Sequence, residues 1–133
     1  MTPTQQPTEQ PAPAILVVDD EDYVADMIAS ALDLEGYSVH VAYNGRDGLE
    51  LALSLSLNLV IIDLMMPYLN GEALAQQIRD HGRRGDLPII LISAGARPRH
   101  LVPSITFVTK PFDLLKLLTL VEAKIGDGAK PPD

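Results

Sequence analysis

An apolar run that ends in an acid, Leu59-Val60-Ile61-Ile62-Asp63, constrains this chain more than any other stretch. A run without polar alternation reads as a strand buried on both faces, and such strands belong to parallel sheets covered by helices. Sheets of that kind carry their chemistry at the carboxyl edge of the strands. Met65, Met66 and Pro67 follow at once, so the strand stops and Asp63 is expected at a strand-to-loop junction. A carboxylate there is cheap to solvate and open to reaction.

The rest of the chain is punctuated in the same way. Ala14 to Val18 is the first apolar run and ends in Asp19-Asp20-Glu21-Asp22. The segment after it spaces Val24, Met27, Ile28, Ala31 and Leu32 as one helical face, closed by Gly36. Ser38 to Ala42 reads as a second strand, and Asn44-Gly45 as a turn able to cap a second helix. From Leu49 to Leu59 leucines alternate with Ser54, Ser56 and Asn58, which is strand periodicity. Leu and Ala favour helix, however, and parallel strands need a crossover between them, so Arg46 to Leu55 is predicted helical. Asn70 is expected to cap a helix with Ala73, Leu74 and Ile78 inward, running to about His81. Leu87 to Ile92 and Ile105 to Thr109 read as fourth and fifth strands. Phe112 to Ile125 reads as a last helix, with Leu114, Leu115, Leu118, Val121 and Ile125 facing inward. Strand alternates with helix throughout, which predicts a doubly wound parallel α/β domain over residues 14–125. Residues 1–13, rich in Pro, Gln and Thr, are expected to be a disordered tail, and 126–133 a flexible Gly/Pro tail.

Composition narrows the chemistry. A chain of 133 residues, 47% of them hydrophobic, is one domain with a good core, and its apolar runs are too short to cross a bilayer. The N-terminus lacks the basic and apolar stretches of a secretory signal, so a cytoplasmic location is expected. Cysteine is absent, which excludes disulfides, thiolate metal sites and thiol catalysis. A formal net charge of −8 disfavours nucleic acid and anionic membranes as partners and suits a site that holds cations.

In a parallel sheet the strand ends share one rim, here populated by Asp19 and Asp20, Asp63, Ser93 and Lys110. Taken singly each has a bland explanation: helix-capping acids, a turn residue, a small residue at a bend, a solvated amine. Unrelated structural needs would not put them all at successive strand ends. Crowded carboxylates repel and raise one another's pKa unless a cation lies among them. Oxygen ligands with water select magnesium or a similar hard divalent ion, the arrangement used in phosphoryl transfer. Lys110 then offers positive charge to phosphoryl oxygens, the Ser93 hydroxyl offers a hydrogen bond, and Asp63 is the natural nucleophile for an acyl phosphate.

Asp19-Asp20-Glu21, Asp63-Leu64-Met65-Met66-Pro67, Asn70-Gly71, Ser93-Ala94 and Lys110-Pro111-Phe112 resemble the receiver domain of two-component response regulators, across about Ala14 to Ile125. The resemblance implies a CheY-like, flavodoxin-like five-stranded sheet in the order 2-1-3-4-5. It implies that Asp63 accepts a phosphoryl group from the phosphohistidine of a sensor histidine kinase or phosphotransfer protein. Asp20, Asp63 and the Met65 carbonyl would bind Mg2+, with Asp19 assisting. Ser93 would move toward the phosphoryl group, Phe107 would rotate inward behind it, and the Lys110–Pro111 bond would be cis. Such a domain is a switch in phosphorelay signal transduction, not a metabolic enzyme: it catalyses only its own phosphorylation and hydrolysis. It is expected to be a monomer or a phosphorylation-dependent homodimer acting on an output partner the sequence does not specify.

Two departures and three rivals complete the reading. Only Ala94 to Ser104, with Pro98 and Pro103, separate Ser93 from the fifth strand, so the fourth helix is expected to be short or missing. Arg97, Arg99 and His100 fill that loop, and Tyr68 stands where the family often has Gly. A phosphatase of the haloacid dehalogenase type needs a second acid two residues after its nucleophile, where this chain has Met65. A flavodoxin-like redox protein needs a Ser/Thr-rich phosphate loop after the first strand, and none is there. A phosphorylation-independent interaction module is the remaining alternative.

Overall fold

The computed structural model describes residues 11–66, 69–81, 86–94 and 105–126. The apolar runs form strands β1 (Ala14–Val18), β2 (Ser38–Ala42), β3 (Leu59–Asp63), β4 (Ile89–Ser93) and β5 (Ile105–Thr109). Between and after them run helices α1 (Asp22–Leu34), α2 (Gly45–Ser54), α3 (Gly71–His81) and α4 (Leu114–Gly126). All strand pairs are parallel and the sheet order is β2-β1-β3-β4-β5, the topology the resemblance implies.

Successive strand side chains point to opposite faces, so each central strand feeds two cores. Leu16, Val18, Val60, Ile62 and Leu91 pack with Ala52 of α2 and with Leu74 and Ile78 of α3. Ile15, Val17, Ile61, Ile90 and Ile92 pack on the other face with Ile28 and Leu32 of α1 and with Leu117, Val121 and Ile125 of α4. Every residue of β3 and β4 is buried, which is why those runs show no polar alternation. Edge strands β2 and β5 are mostly half-buried.

Caps set the helix ends. Gly36 takes φ +98°, and its N–H and that of Tyr37 bond the Asp33 and Leu32 carbonyls at 3.0 and 3.2 Å, ending α1. Asn44 Oδ1 accepts from the Asp47 N–H at 2.7 Å and Asn70 Oδ1 from the Ala73 N–H at 2.8 Å. Both asparagines are therefore N-caps, as their positions predict.

Several boundaries and faces differ from the sequence reading. The last helix starts at Leu114 rather than Phe112, because Asp113 caps it through its side chain to the Leu115 N–H at 2.9 Å. Leu117, Val121 and Ile125 then form the buried stripe, and Leu115 lies about 120° from its centre, 72% exposed. On α1, Met27 is exposed and Ala25 is buried in its place. On α3, Ala73 is half-buried and the neighbouring Ala75 is the buried alanine. The helical assignment of α2 holds from Gly45, with Leu53 facing solvent. Strand β4 begins at Ile89 and includes Ser93. The Pro13 carbonyl accepts the Ser38 N–H at 2.9 Å, so Pro13 extends the pairing of β1 with β2 by one residue. Asn58 tethers β1 to the start of β3, taking the Ala14 N–H on Oδ1 at 2.9 Å and donating its own N–H to the Ala14 carbonyl at 2.7 Å. The expected short or missing helix falls on residues 95–104, outside the described residues, as do Arg97, Arg99, His100 and Tyr68. Among the described residues no helix is long and apolar enough to cross a membrane.

Candidate functional site

The chain leaves β1 toward the β2 edge and leaves β3 toward the β5 edge, so the two loops part and open a crevice at the carboxyl ends of these neighbouring strands. Asp19 and Asp20 follow β1, and Asp63 is the last residue of β3. One carboxylate oxygen from each of the three lies within 4.8 Å of the others. Asp19 is 3% and Asp63 5% exposed, while Asp20 faces solvent.

Backbone bonds fix this geometry. Asp19 donates its N–H to the Ala42 carbonyl at 3.1 Å, and its Oδ1 accepts the Glu21 N–H at 2.9 Å. After Asp63, Leu64 donates to the Ile92 carbonyl and Gly71 donates to the Leu64 carbonyl, both at 2.8 Å. The second bond draws the start of α3 against β3, and only glycine fits: a Cβ on Gly71 would lie 2.5 Å from the Asp63 carbonyl oxygen. From the far side, Lys110 follows β5 and brings its Nζ to 3.1 Å from Asp63 Oδ1. Its own N–H donates to the Ser93 carbonyl at 2.6 Å, and the Lys110–Pro111 bond is cis.

The electrostatics follow from burial and crowding. Burial pushes the Asp19 carboxyl up to about 6; the Asp63 and Asp20 charges add to this, while the Glu21 N–H and Lys110 oppose it. Burial likewise raises Asp63 above the ordinary carboxylate value, against the hydrogen bond and charge of Lys110. For Lys110 burial alone would lower the pKa, but the hydrogen bond and charge of Asp63, with Asp19 and Glu21 behind it, leave it raised. Two buried acids held above their ordinary values and facing one amine form a site short of positive charge. Hard oxygen donors on converging backbones fit a divalent cation of the magnesium type.

Asp19, Asp20, Asp63 and Lys110 thus converge as the sequence predicts. Ser93 is fully buried at the end of β4, linked to Lys110 through its carbonyl. The Met65 side chain is 66% exposed just beyond β3. Phe107 pairs in register with Leu91 and is half-buried against the core on the α2 and α3 side. Sequence reasoning gave Glu21 no separate role. Its Oε1 lies 4.0 Å from Lys110 Nζ, and the available signal was a glutamate at a capping position that shorter polar side chains fill better.

The acids and the lysine thus meet in the crevice between β1 and β3, the topological switch point of a doubly wound α/β fold. The chain belongs to the response regulator receiver domain family, whose model matches residues 15–122. It is similar to the response regulator ArlR of Staphylococcus saprophyticus, 36% identical over 116 residues that cover 84% of this chain and 51% of ArlR. It is also similar to the DNA-binding dual master transcriptional regulator RpaA of Synechocystis, 31% identical over 84% of this chain and 48% of RpaA. The chain therefore spans about half the length of these curated relatives. Among solved structures, the response regulator TrrA of Thermotoga maritima, in complex with Mg2+ and BeF, superposes with a TM-score of 0.75. That match is 33% identical and covers 84% of this chain and 98% of TrrA.

Proposed function

We propose that Asp63 is the phosphoryl acceptor of a phosphorelay, taking its phosphoryl group from a phosphohistidine on a sensor histidine kinase or phosphotransfer protein. The observation that carries this is the Lys110 ammonium 3.1 Å from Asp63 Oδ1, beside three carboxylates whose oxygens approach within 4.8 Å. Asp19, Asp20, Asp63 and the Met65 carbonyl would hold Mg2+. The ion, when bound, supplies the positive charge that lets acids and phosphoryl oxygens share one crevice.

The residues of the chain do the rest. An Asp63 oxygen bonds to phosphorus as the phosphorus–nitrogen bond breaks, and the electron pair returns to the imidazole nitrogen. Lys110 Nζ, 3.1 Å from Asp63 Oδ1, would offer its positive charge to the phosphoryl oxygens beside the acceptor. The Ser93 hydroxyl donates to one of those oxygens, and Phe107 moves further into the core as Ser93 shifts. Beyond its own phosphorylation and hydrolysis the domain catalyses nothing, so it acts by offering a changed surface to an output partner, as a monomer or by pairing. The charge of −8 argues against direct contact of this domain with nucleic acid or anionic membrane, which leaves a protein as the output partner, in the cytoplasm on this reading.

Incubation with acetyl phosphate and magnesium chloride is expected to add one phosphoryl group by intact mass, and Asp63→Asn is expected to add none. Equal labelling of Asp63→Asn would place the acceptor elsewhere. An unlabelled wild type would favour phosphorylation-independent binding.

A further inference from the structure

Glu21 is the acid at this rim to which the phosphoryl-accepting reading gives no task. It occupies the N-cap position of α1 in extended backbone (φ −88°, ψ 102°), yet its side chain makes no capping hydrogen bond. Its main chain alone holds the local structure: the N–H donates to Asp19 Oδ1 at 2.9 Å, and the carbonyl accepts the Val24 and Ala25 N–H groups at 3.0 Å. The carboxylate reaches over the crevice instead. Oε1 lies 4.0 Å from Lys110 Nζ, and Oε2 accepts the Tyr23 hydroxyl at 3.5 Å. Lys110 therefore stands between a buried carboxylate at 3.1 Å and a half-exposed one at 4.0 Å.

We propose that Glu21 is a specificity-determining residue of the phosphoryl-transfer reaction, an outer carboxylate that competes with an incoming phosphodonor for the Lys110 ammonium and so disfavours small dianionic donors. The inference rests on Asp63 being the acceptor. A donor must bring its phosphoryl oxygens to the Lys110 ammonium, which has only N–H donors to share. Glu21 already draws on that ammonium from the solvent side, where the donor must enter. A dianion meets this fixed negative charge at full strength, and a donor carrying less negative charge meets it at less. At a half-exposed site the repulsion per unit charge is worth a few-fold in rate. A phosphohistidine presented on a protein can bring compensating charge with it; a free acyl phosphate cannot.

The test compares two small donors on the full chain at saturating magnesium, reading initial phosphorylation rates by intact mass. With acetyl phosphate, an Asp63 oxygen bonds to phosphorus, the phosphorus–oxygen bond to the acetyl group breaks, and acetate leaves with the electron pair. With phosphoramidate the phosphorus–nitrogen bond breaks, and ammonia leaves with the electron pair, its nitrogen having been protonated in the donor. Glu21→Gln is expected to raise the rate with dianionic acetyl phosphate about three- to tenfold and with phosphoramidate, which carries about half that net charge, only about two- to threefold. The gap should narrow at about 0.5 M salt, because the site is solvent-accessible. Glu21→Asp keeps the charge and should keep most of the discrimination. The melting temperature should stay within about 2 °C of wild type, since an exposed ion pair contributes little to folding. Equal acceleration with both donors, or none with either, overturns the inference while leaving Asp63 as acceptor. A wild type that takes phosphoryl from neither donor removes the reading of Asp63 and this inference with it.

Discussion

Replacing Gly71 with alanine probes the backbone that carries Asp63. The added Cβ would lie 2.5 Å from the Asp63 carbonyl oxygen and 2.7 Å from Leu64 Cα, main-chain atoms that cannot rotate aside. Ordinary contact begins at 3.4 Å, so the start of α3 and the end of β3 must separate by roughly 0.9 Å. That movement strains the 2.8 Å bond from the Gly71 N–H to the Leu64 carbonyl and works against Leu74 and Ala75, both fully buried one turn on. Overpacking of this kind costs about 1–3 kcal/mol, and the rigidity of the contact puts it toward the upper end. Alanine returns less than about 1 kcal/mol in helix propensity. The net loss should be about 2 kcal/mol, or about 8 °C in melting temperature for a domain of this size. Urea unfolding followed by circular dichroism measures the stability, and a magnesium titration measures the site, which should bind the ion more weakly as Asp63 is displaced. Gly36→Ala is the control: its Cβ meets nothing within 4 Å, so the cost of about 1 kcal/mol comes from the positive φ alone and magnesium affinity should hold. A Gly71→Ala protein within about 0.5 kcal/mol of wild type, with unchanged magnesium affinity, would refute the claim that this contact sets the position of Asp63.

Leu117→Ala should cost about 2–5 kcal/mol and Leu115→Ala less than about 0.5 kcal/mol, because the former fills the core between α4 and the sheet and the latter is 72% exposed; equal costs by urea unfolding would reverse that assignment of faces. The Asp19 carboxyl, raised from 3.8 to about 6, binds its proton more tightly in the folded state than in the unfolded one. The metal-free protein should therefore lose stability, relative to Asp19→Asn, as pH rises between about 4 and 6, and magnesium chloride at neutral pH should restore part of it. Parallel stability curves for the two proteins across that range would show that Asp19 is not held in a charge-starved site.

The sheet was legible because its strands are buried on both faces: the unbroken runs at β1, β3 and β4 have no helical competitor of that length and composition. The rim was legible for the same reason, since the polar residue that stops each run is placed by the strand it ends. Helix faces were harder to read. In the leucine-rich α4 both Leu115 and Leu117 are apolar, and what decides between them is how the helix packs on the sheet, which buries Leu117 and leaves Leu115 exposed. Neighbouring residues lie about 100° apart around a helix, so leucines on several sides leave the buried stripe undetermined by pattern alone. Glu21 escaped notice because acids before a helix have a common capping explanation, and only the coordinates show the side chain leaving the helix for Lys110. The close approach at Gly71 is likewise a property of two segments meeting, which no local pattern encodes.

The pair formed by Asp63 and Lys110 joins the central strand of the sheet to one of its edges. Strand β3 is flanked by β1 and β4 and buried at every residue, whereas β5 is an outer strand with half-buried side chains and an exposed end. In amide hydrogen exchange, β3 should open only with global unfolding, while β5 should also open by a cheaper local route. New charge on Asp63 would pull through Lys110 on the end of an edge strand, one of the two elements of the sheet paired on a single side only. A chemical event at a fully buried central strand would then be felt at the edge of the sheet, where local opening costs less than global unfolding.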